Sequence, residues 1–287
     1  MNKIVLKVVG GFGNQLFMVF NAISLSIDYN LELIIDTNQH DLKRPPVSRY
    51  TFFSSDKLKK SNTTNINKFK IIKQNGFAYS QLILKPNTNY LLNADSSGYF
   101  QSYKFFFHNI EKIKNYLNLN LTLINYFKNI LKSIQKHIAI HIRLTDYIEL
   151  SNYHKVVDSD YYKNILSQYD LTQYKIILFS DDVEKATNIL GEFVDPSNII
   201  LANNYVQDDE FQLFFLACTN IRICPNSSYS LWSCYLNDMY QFDLDPKYYF
   251  PSKWFGPAGV KDYNIRDLIP DSDSDSDSDS KYKVINI

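Results

Sequence analysis

The chain has 287 residues, enough for one large domain or two modest ones with cores of their own. Its 30 Lys+Arg balance its 30 Asp+Glu, which excludes a global field that would draw it to nucleic acid or to an anionic membrane surface. Three cysteines, Cys218, Cys224 and Cys234, are odd in number and lack metal-ligand spacing with histidine, so neither a disulfide framework nor a zinc site is expected.

The apolar run at residues 4–9 is far too short to span a bilayer and lacks a signal-peptide cleavage pattern. With no transmembrane segment or anchor visible elsewhere, a protein of a reducing compartment is expected, cytoplasmic or peripheral to a membrane on its cytoplasmic side. Sequons at Asn62, Asn120 and Asn226 carry little weight in a chain so rich in Asn and Ser.

In chain order, residues 4–9 read as a β-branched strand, 10–14 as a glycine turn, 15–29 as a helix and 31–36 as a second strand. Leu16, Phe20, Ile23 and Ile27 recur at helical spacing, and are expected to form the stripe that packs on a sheet. From residue 37 to about 89 the pattern weakens into polar and aromatic stretches that read as irregular connections. Two helical segments are predicted between residues 103 and 135. A second α/β run follows, with strands at 138–142, 175–179, 199–201 and 220–224 and helices at 160–169, 183–190 and 208–218. Repeated β-then-α order implies a mostly parallel sheet covered on both faces. Two such runs in series predict two Rossmann-like domains facing a cleft, with a boundary near residue 135. Residues 271–280 repeat Asp-Ser, which cannot bury apolar surface and is expected to be disordered.

Four constellations carry chemistry. Gly10-Gly11-Phe12-Gly13-Asn14-Gln15 lies between a strand and a helix, where free N–H groups favour an anion. The same turn, with Asp36 about twenty residues on, also fits part of a dinucleotide fingerprint, although Leu16 holds its third glycine position. His141-Ile142-Arg143-Leu144-Thr145-Asp146-Tyr147 begins at a strand's carboxyl end, the edge where open parallel sheets bind ligands. Arg143 offers a planar, permanently charged fork for a diphosphate, and Asp146 either orients that arginine or accepts a proton. Phe179-Ser180-Asp181-Asp182 places a carboxylate beyond another strand, where it serves either as a helix cap or as an acceptor for a nucleoside. Pro225 to Trp232 opens a helix whose hydroxyls and amides suit phosphate oxygens or ordinary capping.

Together, and with Pro251-Ser252-Lys253-Trp254-Phe255, these motifs resemble the α-1,2-fucosyltransferase family, glycosyltransferase family 11, over nearly the whole chain to residue 256. The resemblance implies a GT-B-like α/β fold and metal-independent, inverting transfer of L-fucose from GDP-fucose to the 2-hydroxyl of a sugar, often galactose. It implies no cofactor beyond the donor substrate, and a glycan acceptor. By that resemblance Arg143 binds the diphosphate, His141 and Asp181 lie around the nucleoside, and Ser228, Tyr229 and Ser230 meet the phosphates. Gly11, Gly13 and Asn14 reach the donor from the other domain. Many relatives carry Arg-Arg-Gly-Asp where this chain has Arg143-Leu144-Thr145-Asp146. The implied division is an acceptor-side domain at 1–135, a GDP-sugar domain at 136–256 and a tail at 257–287, with acceptor contacts from loops between Arg44 and Tyr103. The alternatives are a nicotinamide-dependent oxidoreductase built on Gly11, Gly13 and Asp36, and a glycan-binding relative without catalysis.

Overall fold

The computed structural model describes residues 1–38, 45–62, 67–74, 76–93, 98–134, 136–270 and 280–287. Arg44, residue 135 and the Asp-Ser repeat through residue 279 lie outside the described residues. The chain forms two compact units, Met1–Asn120 with Asp262–Leu268, and Leu121–Lys261 with Ile269–Ile287.

In the first unit the βαβ start is β1 (Lys3–Lys7), α1 (Phe12–Asp28) and β2 (Glu32–Asp36). Gly10 has φ +83°, and a Cβ there would lie 3.0 Å from the Tyr99 ring, so the turn takes glycine on both counts. Gly11 caps the helix, which therefore begins at Phe12, three residues before the predicted start. Helix α1 is buried on nearly every side rather than along one stripe, because rings from the following segment cover its outer face. Phe12 stacks on Tyr50 at 3.9 Å and Phe20 meets Phe106 edge-on at 5.4 Å. Strands β3 (Lys59–Ser61), β4 (Lys70–Ile72) and β5 (Tyr90–Asn93) complete a parallel sheet of order β3-β2-β1-β5-β4, and the short helix α2 (Ile110–Ile113) follows. Strands β3 and β4 arise where irregular connections are predicted and β5 directly after them; at three or four residues each they are too short to show an alternating pattern.

The second unit opens with α3 (Leu121–Ile134), whose Phe127 stacks on Phe215 at 4.8 Å. That contact assigns the helix to the second unit, so the division falls after Asn120 and not near residue 135. The unit continues through β6 (His137–Ile142), α4 (Thr145–Glu149), α5 (Ser159–Leu166), β7 (Lys175–Ser180), α6 (Val183–Gly191), β8 (Ile199–Leu201), α7 (Asp209–Ala217), β9 (Ile221–Ile223), α8 (Ser228–Tyr240) and β10 (Lys247–Pro251). Helix α9 (Ile265–Leu268) belongs to the first unit, where Asp267 accepts from Lys104 Nζ at 2.7 Å and from the Tyr79 amide at 2.8 Å. The predicted tail then returns as β11 (Tyr282–Ile285), parallel to β10, with Tyr282 3% exposed. The sheet order is β11-β10-β9-β6-β7-β8, with all pairs parallel.

Strand alternation divides the faces of this sheet. Ile138, Ile140, Ile142, Ile176 and Leu178 join Tyr161, Tyr162, Ile165 and Leu166 of α5 in one buried cluster. Ala139, His141 and Phe179 point the other way; Phe179 meets Phe215 of α7, and His141 meets Ser230 of α8. Arg222 of β9, fully buried, donates through Nε to the Leu216 carbonyl at 2.7 Å and through Nη1 to that of Ser233 at 3.2 Å, so one side chain staples the end of α7 to α8. Cys218, Cys224 and Cys234 are free and buried. No helix of the described residues is long and apolar enough to cross a membrane.

Candidate active site

Strands β6 and β7 end in register, His141 beside Phe179 and Ile142 beside Ser180, and β9 flanks β6 on its other side. His141 is 5% exposed and its Nδ1 is hydrogen-bonded to Ser230 Oγ, which joins the end of β6 to the first turn of α8. Burial, then the charge of Arg143, lower its pKa to about 4 against the opposing pull of Asp181, so the imidazole is neutral near pH 7.

Arg143 leaves the strand two residues later, with its side chain 24% exposed. Its Nε donates to Asp146 Oδ1 at 2.9 Å, its Nη2 lies 2.8 Å from the same oxygen, and Asp181 Oδ2 is 3.3 Å from Nε. Burial opposes the charge, but the bond to Asp146 and the two carboxylates outweigh it and hold the guanidinium above its usual pKa. The expected cap at the next strand end is Asp182, whose Oδ1 accepts from the Lys185 amide at 3.1 Å. That frees Asp181 to reach across to the β6–α4 turn. Its Oδ1 accepts from the Leu144 amide at 2.9 Å, and its Oδ2 from the Thr145 amide at 3.1 Å and from the Thr145 hydroxyl. Leu144 is 3% exposed within the core cluster.

Beyond β9, Ser227 is the N-cap of α8, and its side chain makes no cap bond. Tyr229 OH donates to the Asp209 carbonyl at 2.6 Å, and Ser230 is fully buried against His141. The Ser230 hydroxyl thus faces the histidine rather than standing open for phosphate. Asn226 is 1% exposed, which removes it as an accessible glycan acceptor; its Nδ2 donates to the Trp254 carbonyl, and its Oδ1 has no hydrogen-bond partner among the described residues. Two further side chains take part, Tyr147, to which the motif assigns no role, and His154, which lies outside every motif. Tyr147 OH donates to the Asn226 carbonyl at 2.9 Å, and His154 stacks on the Tyr147 ring at 4.5 Å. The motif contained Tyr147, but no spacing rule points to His154.

The structure therefore brings His141, Arg143, Asp146, Asp181, Tyr229 and Ser230 to the carboxyl edge of one sheet, with Ser228 opening α8. Gly11, Gly13 and Asn14 lie at the start of α1 in the first unit, where Asn14 Oδ1 accepts from Gln101 Nε2 at 2.7 Å. A Cβ on Gly11 would meet nothing within 4 Å, and Gln15 Nε2 closes the turn on the Gly10 and Pro45 carbonyls at 2.9 and 2.8 Å. Among the described residues, no group of three or more His, Cys, Asp and Glu side chains is arranged to hold a metal ion.

The model of Glycosyl transferase family 11 matches residues 61–250. The chain belongs to that family. It is a glycosyltransferase, and the nicotinamide-dependent alternative is left without support. This family 11 member is 28% identical to the O-antigen biosynthesis glycosyltransferase WbnK of Escherichia coli over 137 residues, 46% of this chain and 43% of that protein. It is 22% identical to an alpha-1,2-colitosyltransferase of Escherichia coli across 89% of this chain and 93% of that protein. Among solved structures it is similar to the fucosyltransferase NodZ from Bradyrhizobium, with a TM-score of 0.50 at 12% identity over 82% of this chain and 93% of that one. NodZ alpha-1,6-fucosyltransferase co-crystallized with GDP gives a TM-score of 0.50 at 14% identity over 82% and 92% of the two chains. At such identity the likeness concerns the fold, which is α/β and GT-B-like.

Proposed function

We propose that this glycosyltransferase transfers L-fucose from GDP-fucose to the 2-hydroxyl of an acceptor sugar, galactosyl in the first instance. The product is an α-1,2 linkage formed with inversion and without a metal ion. The observation that carries the reading is the Arg143 guanidinium, held by Asp146 and Asp181 at the carboxyl end of central strand β6. The GDP in a NodZ crystal supports the nucleotide, and the name of the colitosyltransferase relative supports the 1,2 linkage.

As the bond from the sugar C1 to the diphosphate breaks, its electron pair passes to the phosphate oxygen and the ring becomes oxocarbenium-like. A preorganised cation and aligned amides beside that oxygen stabilise the transition state more than the ground state. Arg143 supplies the cation; the amides of Ser228, Tyr229 and Ser230 at the start of α8, with the Ser228 hydroxyl, supply the dipoles. His141, neutral and buried, sets the first turn of α8 through Ser230. Asp146 is assigned to orient Arg143, since its Oδ1 accepts from Nε and lies 2.8 Å from Nη2 of the guanidinium. The turn at Gly11, Gly13 and Asn14 is likewise assigned a donor contact.

The test is transfer from GDP-fucose, and in parallel GDP-colitose, to a glycan array, with chelator and with manganese. Formation of an α-1,2-fucosyl galactoside unaffected by chelator is the expected result. Activity that disappears with chelator and returns with manganese overturns the metal-independent part, and GDP-sugar binding without turnover on any glycan points to the non-catalytic alternative. The second donor is included because the colitosyltransferase is matched over 93% of its length.

A further inference from the structure

Tyr147 and His154 hold no role in the chemistry above, yet the Tyr147 ring meets both the Arg143 guanidinium and the His154 imidazole. The guanidinium carbon lies 5.8 Å from the centre of the Tyr147 ring, and that ring is parallel to the His154 imidazole within 8° at 4.5 Å. The phenol hydroxyl reaches the Asn226 carbonyl, one residue before the N-cap of α8. One tyrosine therefore touches both elements assigned to the diphosphate.

The contacts close into a circuit. His154 pairs with Phe255 in an isolated antiparallel bridge, the neighbouring Trp254 carbonyl accepts from Asn226 Nδ2, and the Asn226 carbonyl accepts from Tyr147. The turn that carries His154 is fixed from behind. Gly256 N donates to the Tyr153 carbonyl at 2.9 Å and Ala258 N to that of Asn152 at 2.7 Å. A Cβ on Gly256 would sit 2.6 Å from the carbonyl oxygens of Ser151 and Asn152, and one on Gly259 would sit 2.4 Å from that of Tyr153. Only glycine allows two backbones this close. Burial pushes the Tyr147 hydroxyl well above its usual pKa, so it stays a donor, and burial lowers that of His154, so it stacks without adding a cation beside Arg143.

We propose that Tyr147 and His154 are positioning residues: a ring stack, backed by the 254–259 segment, that fixes the Arg143 guanidinium relative to the start of α8. The inference rests on the assignment of Arg143 to the diphosphate and names what holds it there. It also gives the end of the Pro251-Ser252-Lys253-Trp254-Phe255 motif a task.

The experiment is GDP binding by calorimetry and GDP-fucose transfer kinetics for His154→Phe, His154→Ala, Tyr147→Phe and Arg143→Ala, with His154→Ala and Tyr147→Phe each repeated in the Arg143→Ala background. His154→Phe keeps a flat ring and should stay within about twofold of wild type with an unchanged pH profile. His154→Ala should weaken GDP by up to about tenfold, the upper scale of one lost aromatic ring pair, and add less than about twofold once Arg143 is absent. Tyr147→Phe keeps both stacks and isolates the tie to Asn226, so a loss there that also vanishes without Arg143 supports the circuit. Should His154→Phe be as impaired as His154→Ala, the imidazole acts chemically and the stacking role is wrong; wild-type behaviour of His154→Ala also ends it. Failure of the underlying assignment looks different: Arg143→Ala would then bind GDP as tightly as wild type. If His154→Ala does not fold, the Tyr147→Phe cycle decides alone.

Discussion

Replacing Arg143 with alanine separates the chemical from the structural duty of one side chain. The guanidinium is hydrogen-bonded to Asp146 at 2.9 Å and lies 3.3 Å from Asp181, so its removal strips a cation from two carboxylates. Asp181 keeps its bonds to the Leu144 and Thr145 amides, and Asp146 is 29% exposed and rehydrates, so the folding penalty belongs at the low end for a charged hydrogen bond, about 1–1.5 kcal/mol. For a unit of this size that is a fall in Tm of about 2–6 °C. The catalytic loss is far larger. Removing one preorganised transition-state donor costs about two to three orders of magnitude in kcat, so turnover should collapse while most molecules remain folded at assay temperature. Arg143→Lys restores a point charge without the planar fork and should recover only part of the rate. Thermal melts, GDP calorimetry and kcat on the same preparations are the assay. Near-normal kcat in a folded Arg143→Ala protein refutes the reasoning, and so does an activity loss that merely follows unfolding.

Other consequences are equally direct. Asp181→Asn turns an NH2 group toward the amide donors of the Leu144–Thr145 turn and should destabilise by about 1–3 kcal/mol while raising the donor KM; Thr145→Val, which removes one donor only, should do the same more mildly. His141, neutral and buried, has a folded pKa of about 4 against 6.5 unfolded, so the unfolded chain binds more protons between those values. Stability should therefore be full above about pH 6.5 and fall by about 3 kcal/mol as pH drops toward 4, with a shallower slope in His141→Asn, measured by urea titration. Replacing residues 271–279 with a Gly-Ser sequence of equal length should leave melting and transfer unchanged. Stopping the chain before Lys281 removes Tyr282 and the Lys281–Asp238 pair and uncovers Tyr248, and should destabilise by about 2–4 kcal/mol.

Long periodic elements were legible in the sequence: the first βαβ unit, the two central strands β6 and β7, and the helices that follow them. What could not be read was short or distant. Strands β3, β4 and β5 gain their order from sheet partners rather than from local pattern, and β11 lies beyond an Asp-Ser repeat that reads as a tail. The motifs gave Arg143, Asp146 and Asp181 as a group, because a strand end fixes where the next three residues go. They did not give the direction of Asp181, whose choice of the neighbouring turn follows from Asp182 having taken the helix cap. Arg222 was invisible for a related reason: a charge on a short apolar strand looks like an edge residue until the carbonyls at the end of α7 are seen around it.

Both units draw a component from downstream of residue 261: Asp262–Leu268 in one case, β11 in the other. During synthesis, the unit that opens at Lys3 lacks helix α9, and the sheet that carries Arg143 lacks its edge strand, until the ribosome has made that late stretch. A premature stop codon there would damage both halves at once, and nascent chains that pause before it would expose Tyr248 to chaperones.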